Sequence, residues 1–153
     1  MILGLDPGLR TGWALSAGRC GTFDLRSDYA EDQGKAGAMF ARWLADVLVE
    51  HGVWTVVIER PFGRHPSTEF AVYLARRAHE VAYLHHVRRH EFTPSGMKKL
   101  VAGDGRAAKA GVMAAVERSG RWSFTSDHEA DAAALILAFE RMAFERMSAK
   151  EAA

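Results

Sequence analysis

The sequence holds one cysteine, Cys20, among 153 residues. A single thiol excludes an internal disulfide framework and a cysteine-based zinc cluster. No apolar run approaches the roughly 20 residues that span a bilayer, so no membrane partner is expected. No basic segment precedes the apolar start, and Asp6 interrupts it, so a secretory leader is not expected either. Internal repeats and low-complexity stretches are missing. A reducing cytoplasmic home is the default for such a chain. Net charge is also nearly absent, at +1. That small sum hides an uneven distribution. Residues 59–121 carry 12 Lys+Arg against 6 Asp+Glu and five of the seven histidines, while both flanks are acidic. A basic middle between acidic ends suits a polyanionic substrate, although a solvated helix face gives the same excess.

What is present is an ordinary globular composition, 48% hydrophobic and 25% charged. A single domain over residues 1–147 is expected, with a loose tail at 148–153. Residues 2–5, 12–17 and 20–25 read as short strands joined by turns, hence antiparallel neighbours. Residues 27–33 are polar and loop-like. A helical stripe of Ala36, Met39, Phe40, Trp43, Leu44, Val47 and Leu48 runs over 34–51 and stops at Gly52. The apolar run 54–59 predicts a buried strand, parallel to an earlier one because a helix precedes it. A second helix is predicted over 66–87, with Phe70, Leu74, Ala78, Val81 and Leu84 inward. A brief strand at 90–93 follows, then a short helix opened by Pro94 and ended near Gly103, and another helix over 106–118. Ser126-Asp-His-Glu129 is a capping box that starts a last helix reaching about Met147. The predicted class is α/β, a mixed five-stranded sheet with helices on both faces.

Three acidic residues stand at element ends. Asp6 closes Met1-Ile-Leu-Gly-Leu-Asp6 and is followed at once by Pro7-Gly8. Glu59 closes Trp54-Thr-Val-Val-Ile-Glu59. Asp131 lies one turn after His128 at the start of the last helix. If strand 54–59 lies beside strand 2–5, Asp6 and Glu59 share one sheet edge, about 4.8 Å apart. Carboxylates placed so predict a site for divalent cations with oxygen preference. The simpler roles are a turn cap for Asp6, an ion pair with Arg60 or Arg64 for Glu59, and a helix-dipole partner for Asp131.

Leu3-Gly-Leu-Asp-Pro-Gly-Leu-Arg-Thr-Gly-Trp13, Val57-Ile-Glu-Arg-Pro-Phe62, Thr93-Pro-Ser-Gly-Met-Lys-Lys-Leu-Val-Ala-Gly-Asp-Gly-Arg-Ala-Ala-Lys109 and His128-Glu-Ala-Asp-Ala132 occur in that order. Together they resemble the RuvC family of Holliday-junction resolvases, within the RNase H-like superfamily. The resemblance implies an RNase H-like fold and a metal site of Asp6, Glu59, His128 and Asp131, with Asp127 as the alternative contributor beside His128. It implies two Mg²⁺ ions, and the imidazole of His128 suggests that Mn²⁺ also serves. Lys98 and Lys109 match family lysines near the scissile phosphate, Lys109 being counted with the catalytic set. Lys99, Arg106 and Arg64 are expected as further DNA contacts. Phe62 matches a family aromatic that stacks on an unpaired base, the alternative being a core position.

The implied activity is metal-dependent endonucleolytic resolution of four-way DNA junctions in recombination and repair. Symmetric cuts imply a homodimer. The implied place is the cytoplasm, at the nucleoid, and a branch-migration motor is a partner that nothing in the sequence supports. A broader branched-DNA or flap nuclease and an inactive junction-binding protein are the alternatives. The chain also departs from the family pattern. Its first hairpin is one residue tighter, and Tyr73-Leu-Ala-Arg-Arg-Ala-His79 replaces a stretch of small residues, with consequences expected for helix packing.

Overall fold

The structure, a computed structural model, describes residues 1–63 and 66–151, without the side chains of Pro66 and Ser67. Five strands, β1 (Ile2–Asp6), β2 (Arg10–Leu15), β3 (Cys20–Asp24), β4 (Thr55–Glu59) and β5 (Arg88–Phe92), form one sheet. The spatial order is β3-β2-β1-β4-β5. The first three strands are antiparallel, and β4 lies parallel to both β1 and β5. β1 is central because Ile2, Leu3 and Leu5 are buried and Gly4 gives close approach on one face.

Helices cover both faces. On one side lie α1 (Arg26–Glu31), α2 (Gln33–Glu50) and α3 (Pro66–Leu84). Their core joins Leu3, Leu5, Phe40, Leu44, Val56, Ile58 and Leu74. On the other lie α4 (Pro94–Ala102), α5 (Lys109–Arg118) and α6 (Asp127–Glu151). That core joins Ile2, Val57, Met97, Val112, Val116, Leu135 and Ile136. The sides alternate along β4, with Val56 and Ile58 on one and Val57 on the other, as strand periodicity requires. Among the described residues no helix is long and apolar enough to cross a membrane.

Several boundaries differ from the sequence expectation. Residues 27–31, part of the stretch 27–33 expected as loop, belong to α1, whose Tyr29 meets Phe70 edge-on at 4.6 Å. Strand β5 begins at Arg88 rather than His90, because an edge strand tolerates exposed arginines that break the apolar pattern. Helix α3 stops at Leu84, and its expected inward Leu84 is exposed, as is Met39 of α2. The stop is a Schellman closure: the Val87 N–H donates to the Ala82 carbonyl at 2.8 Å and His86 N–H to Tyr83 at 3.1 Å. His86 takes the left-handed conformation there, φ 57°. α2 closes the same way at Gly52, φ 56°. Glycine announces that turn in the sequence and histidine does not. α5 begins at Lys109, since the Asp104 side chain accepts the Arg106 N–H and holds the preceding residues in a turn. α6 runs on through the stretch from Ser148 that was expected to be a tail. The bulky Tyr73 is accommodated by Gly37 of α2, where an added Cβ would meet the tyrosine hydroxyl at 2.1 Å.

Candidate active site

The register aligns Leu5 with Ile58, so Asp6 and Glu59 end adjacent parallel strands at one edge. The tight turn after Asp6 is closed by Thr11, whose buried hydroxyl donates to the Gly8 carbonyl at 2.8 Å. The short hairpin thus leaves Asp6 at the strand end.

Two glycines bring the third element down. A Cβ at Gly4 would lie 2.1 Å from the Ala132 carbonyl oxygen, and one at Gly12 would lie 2.0 Å from that of His128. The first turns of α6 therefore rest directly on the backbones of β1 and β2. His128 Nδ1 comes within 3.2 Å of Asp6 Oδ2. Glu129 pins this approach. It is 7% exposed and accepts from the Thr125 N–H at 2.7 Å and the Thr22 hydroxyl at 3.2 Å, while its own N–H donates to Ser126 Oγ at 3.3 Å. The expected capping box is present in a shifted form, with the glutamate reaching one residue beyond the cap.

Burial and the charges of Asp6 and Asp131 push the Glu59 carboxyl up to about 7. Burial, then Asp6, likewise raises Asp131, against the pull of Lys109. Hydrogen bonding to Asp6 raises the His128 imidazole. Arg60, the simple structural partner for Glu59, is engaged elsewhere, with Glu91 at 3.0 Å, and Glu91 also meets His79 at 2.6 Å. Among the described residues, no cluster of three or more His, Cys, Asp and Glu side chains is drawn together as a preformed metal site. The charges of Asp6 and Asp131 act against ionisation of Glu59, and that of Asp6 against Asp131, and the opposing charge of Lys109 does not cancel them. Such under-compensated oxygen donors on one sheet edge are suited to hard divalent cations.

This electrostatic strain has a measurable consequence. Glu59 holds its proton in the folded chain up to about pH 7 but releases it near 4.5 when unfolded. The metal-free protein is therefore most stable, as far as Glu59 is concerned, below about pH 4.5 and loses up to about 3 kcal/mol as pH rises to above 7. Urea unfolding of the metal-free protein across that window should show the decline, and Glu59→Gln should flatten it. An equal decline in the variant would assign the effect to other groups.

Two clefts meet at Glu59. One is lined by Asp6, Pro7, Glu59, Pro61 and Phe62, with Thr68 and Ala71 of α3. The other, about 200 Å³, is lined by Glu59, Met97, Lys98, Lys109 and Asp131 among others. Lys98 and Lys109 thus face the carboxylates from α4 and α5. Phe62 is 90% exposed, which excludes a core role. Lys99 and Arg106 are exposed and do not line the cleft. Arg64, expected as a DNA contact, lies outside the described residues. Asp127 accepts from Lys109 Nζ at 2.5 Å, a pairing the sequence did not signal because it joins two helices.

A family model described as crossover junction endodeoxyribonuclease RuvC matches residues 2–139. No curated protein matches the sequence. Among solved structures, Thermus thermophilus RuvC superposes with a TM-score of 0.75 at 21% identity, covering 96% of each chain. T. thermophilus RuvC in complex with a Holliday junction substrate gives 0.72 at 21% identity, covering 93% of this chain and 95% of that one. The yeast mitochondrial Holliday junction resolvase gives 0.65 at 11% identity, covering 92% and 78%. The likeness establishes the RNase H-like fold.

Proposed function

Since the chain belongs to the RuvC family of crossover junction endodeoxyribonucleases, we propose that it resolves four-way DNA junctions at the sheet edge that carries Asp6 and Glu59, with His128 and Asp131 of α6 beside it. The observation that carries this is the placement of Glu59 and Asp131 in one cleft with Lys98 and Lys109, and of Asp6 in the adjoining cleft that shares Glu59. Asp6, whose charge acts on both Glu59 and Asp131, would be a ligand for divalent ions, Mg²⁺ or Mn²⁺. Glu59, Asp131 and His128 would supply the other ligands. When bound, such ions acidify a water and stabilise charge on the attacking and leaving oxygens of an in-line displacement.

The protein's own groups do the rest. Lys109 and Lys98 place positive charge on the phosphate entering the cleft. Phe62, exposed beside Asp6 and Glu59, offers a stacking face to an unpaired base, worth about 1–3 kcal/mol. Lys99, Arg106 and Arg64 are assigned to flanking phosphates. Two symmetric incisions need two sites, so the active species is a twofold homodimer. The enzyme belongs in the cytoplasm, with nucleoid DNA as its place of work.

The test is cleavage of a synthetic four-way junction with either ion, with mapping of both products. Paired nicks at symmetric positions in opposing strands are expected. Equal cutting of a flap or an RNA-containing duplex at matched salt would favour a broader nuclease, and tight binding without cutting would overturn the enzymatic assignment. Phe62→Ala should weaken cleavage of the junction about tenfold or more while sparing the fold, since the side chain is solvent-exposed.

A further inference from the structure

The first turn of α6 carries a carboxylate that the site described so far does not use. Asp127 Oδ2 lies 2.5 Å from Lys109 Nζ, and its Oδ1 accepts the His128 N–H at 3.1 Å. Both oxygens are thus engaged, one by the backbone of its own turn and one by the lysine. Asp131 Oδ2 is 3.6 Å from the same nitrogen. Lys109 lines the cleft with Glu59, Lys98 and Asp131, whereas Asp127 does not. Asp127 therefore reaches the cleft only through Lys109.

Nothing on α5 itself holds the lysine there. Lys109 is the first residue of the helix, and the partners of its Nζ, Asp127 and Asp131, both lie on α6. The positive end of a helix dipole opposes a cation at that position. The counter-charge comes from α6 instead. Of the two α6 carboxylates near it, Asp127 is the closer, and in the proposed site Asp131 goes to metal, which leaves Asp127 as the standing partner of the lysine. The ion pair is half-exposed on both sides, so it adds little to stability.

We propose that Asp127 is a positioning residue that aims Lys109 at the scissile phosphate. The proposal rests on the assignment of Lys109 as the cation facing that phosphate. It also gives Asp127 a role other than metal ligation, the alternative raised by its place beside His128.

A double-mutant cycle on junction cleavage tests it, with junction binding in EDTA and thermal melting measured alongside. Lys109→Met alone should lower kcat strongly. Asp127→Ala and Asp127→Asn should each lower kcat about tenfold with junction affinity and melting temperature nearly unchanged, as expected for a misdirected group. Asp127→Glu should recover most of the rate. In the Lys109→Met background, Asp127→Ala should cost nothing further. A full additional loss there would overturn the proposal and point to direct metal ligation. Wild-type activity in Asp127→Ala and Asp127→Asn would overturn it as well. Wild-type activity in Lys109→Met would remove the role of Lys109 itself, and the proposal with it.

Discussion

Asp6→Asn is expected to reduce junction cleavage on the order of a thousandfold or more while leaving junction binding within a few-fold. Asp6 is the group on which the other site residues converge. Its charge raises both Glu59 and Asp131, and its Oδ2 meets His128 Nδ1 at 3.2 Å. The amide keeps the shape of the side chain but removes the charge, so the loss falls on chemistry rather than folding. It also relieves repulsion. The metal-free variant should melt no lower than wild type at neutral pH, because Glu59 then ionises at lower cost, which offsets the loss of the His128 contact. Gel-based cleavage, filter binding and melting in EDTA separate the three effects. A variant that neither binds junction nor folds would show that Asp6 is structural.

Gly12→Ala is expected to cost about 1–3 kcal/mol of stability and to lower cleavage about a hundredfold. The added Cβ would sit 2.0 Å from the His128 carbonyl oxygen and 2.4 Å from its carbon. Those are backbone atoms in the first turn of α6, so α6 must back away from β2 as a unit. His128 and Asp131 move with it and part from Asp6. Gly111→Ala is the matched control. Its Cβ meets nothing within 4 Å on an exposed position of α5, and alanine favours helix over glycine by about 1 kcal/mol. That variant should be at least as stable as wild type. Urea unfolding and junction cleavage of the pair check both expectations, and equal behaviour would mean that α6 does not rest on β2 as described.

Gly12 also marks how far the sequence can be read. The sheet was legible because apolar runs ending in Asp6 and Glu59 carry their own stop signals, Pro7-Gly8 and Pro61. Their adjacency follows from a helical crossover, which forces a parallel pair. The placement of Asp131 and His128 beside them was legible only as helix spacing. What seats that helix on the sheet, the absence of side chains at Gly4 and Gly12, has no local signature in a strand. The end of α3 was hidden for a related reason, since His86 takes a left-handed turn that glycine normally announces. The basic residues of the middle region were legible as a class but not as individuals. Lys98 and Lys109 reach the cleft and Lys99 and Arg106 do not, a distinction set by helix rotation and by a turn at Asp104 that delays α5. Asp127 was the least visible, because its partner lies 18 residues away on another helix.

The most direct test of the carboxylate site is a count of bound ions. Mn²⁺ titrated into wild-type and Asp6→Asn protein, with the free ion followed by its paramagnetic resonance signal, measures binding without relying on cleavage. Wild type is predicted to take up Mn²⁺, with Mg²⁺ competing for the same positions, and Asp6→Asn to lose that uptake while remaining folded. Undiminished Mn²⁺ binding by folded Asp6→Asn protein would contradict the placement of the metal site at Asp6.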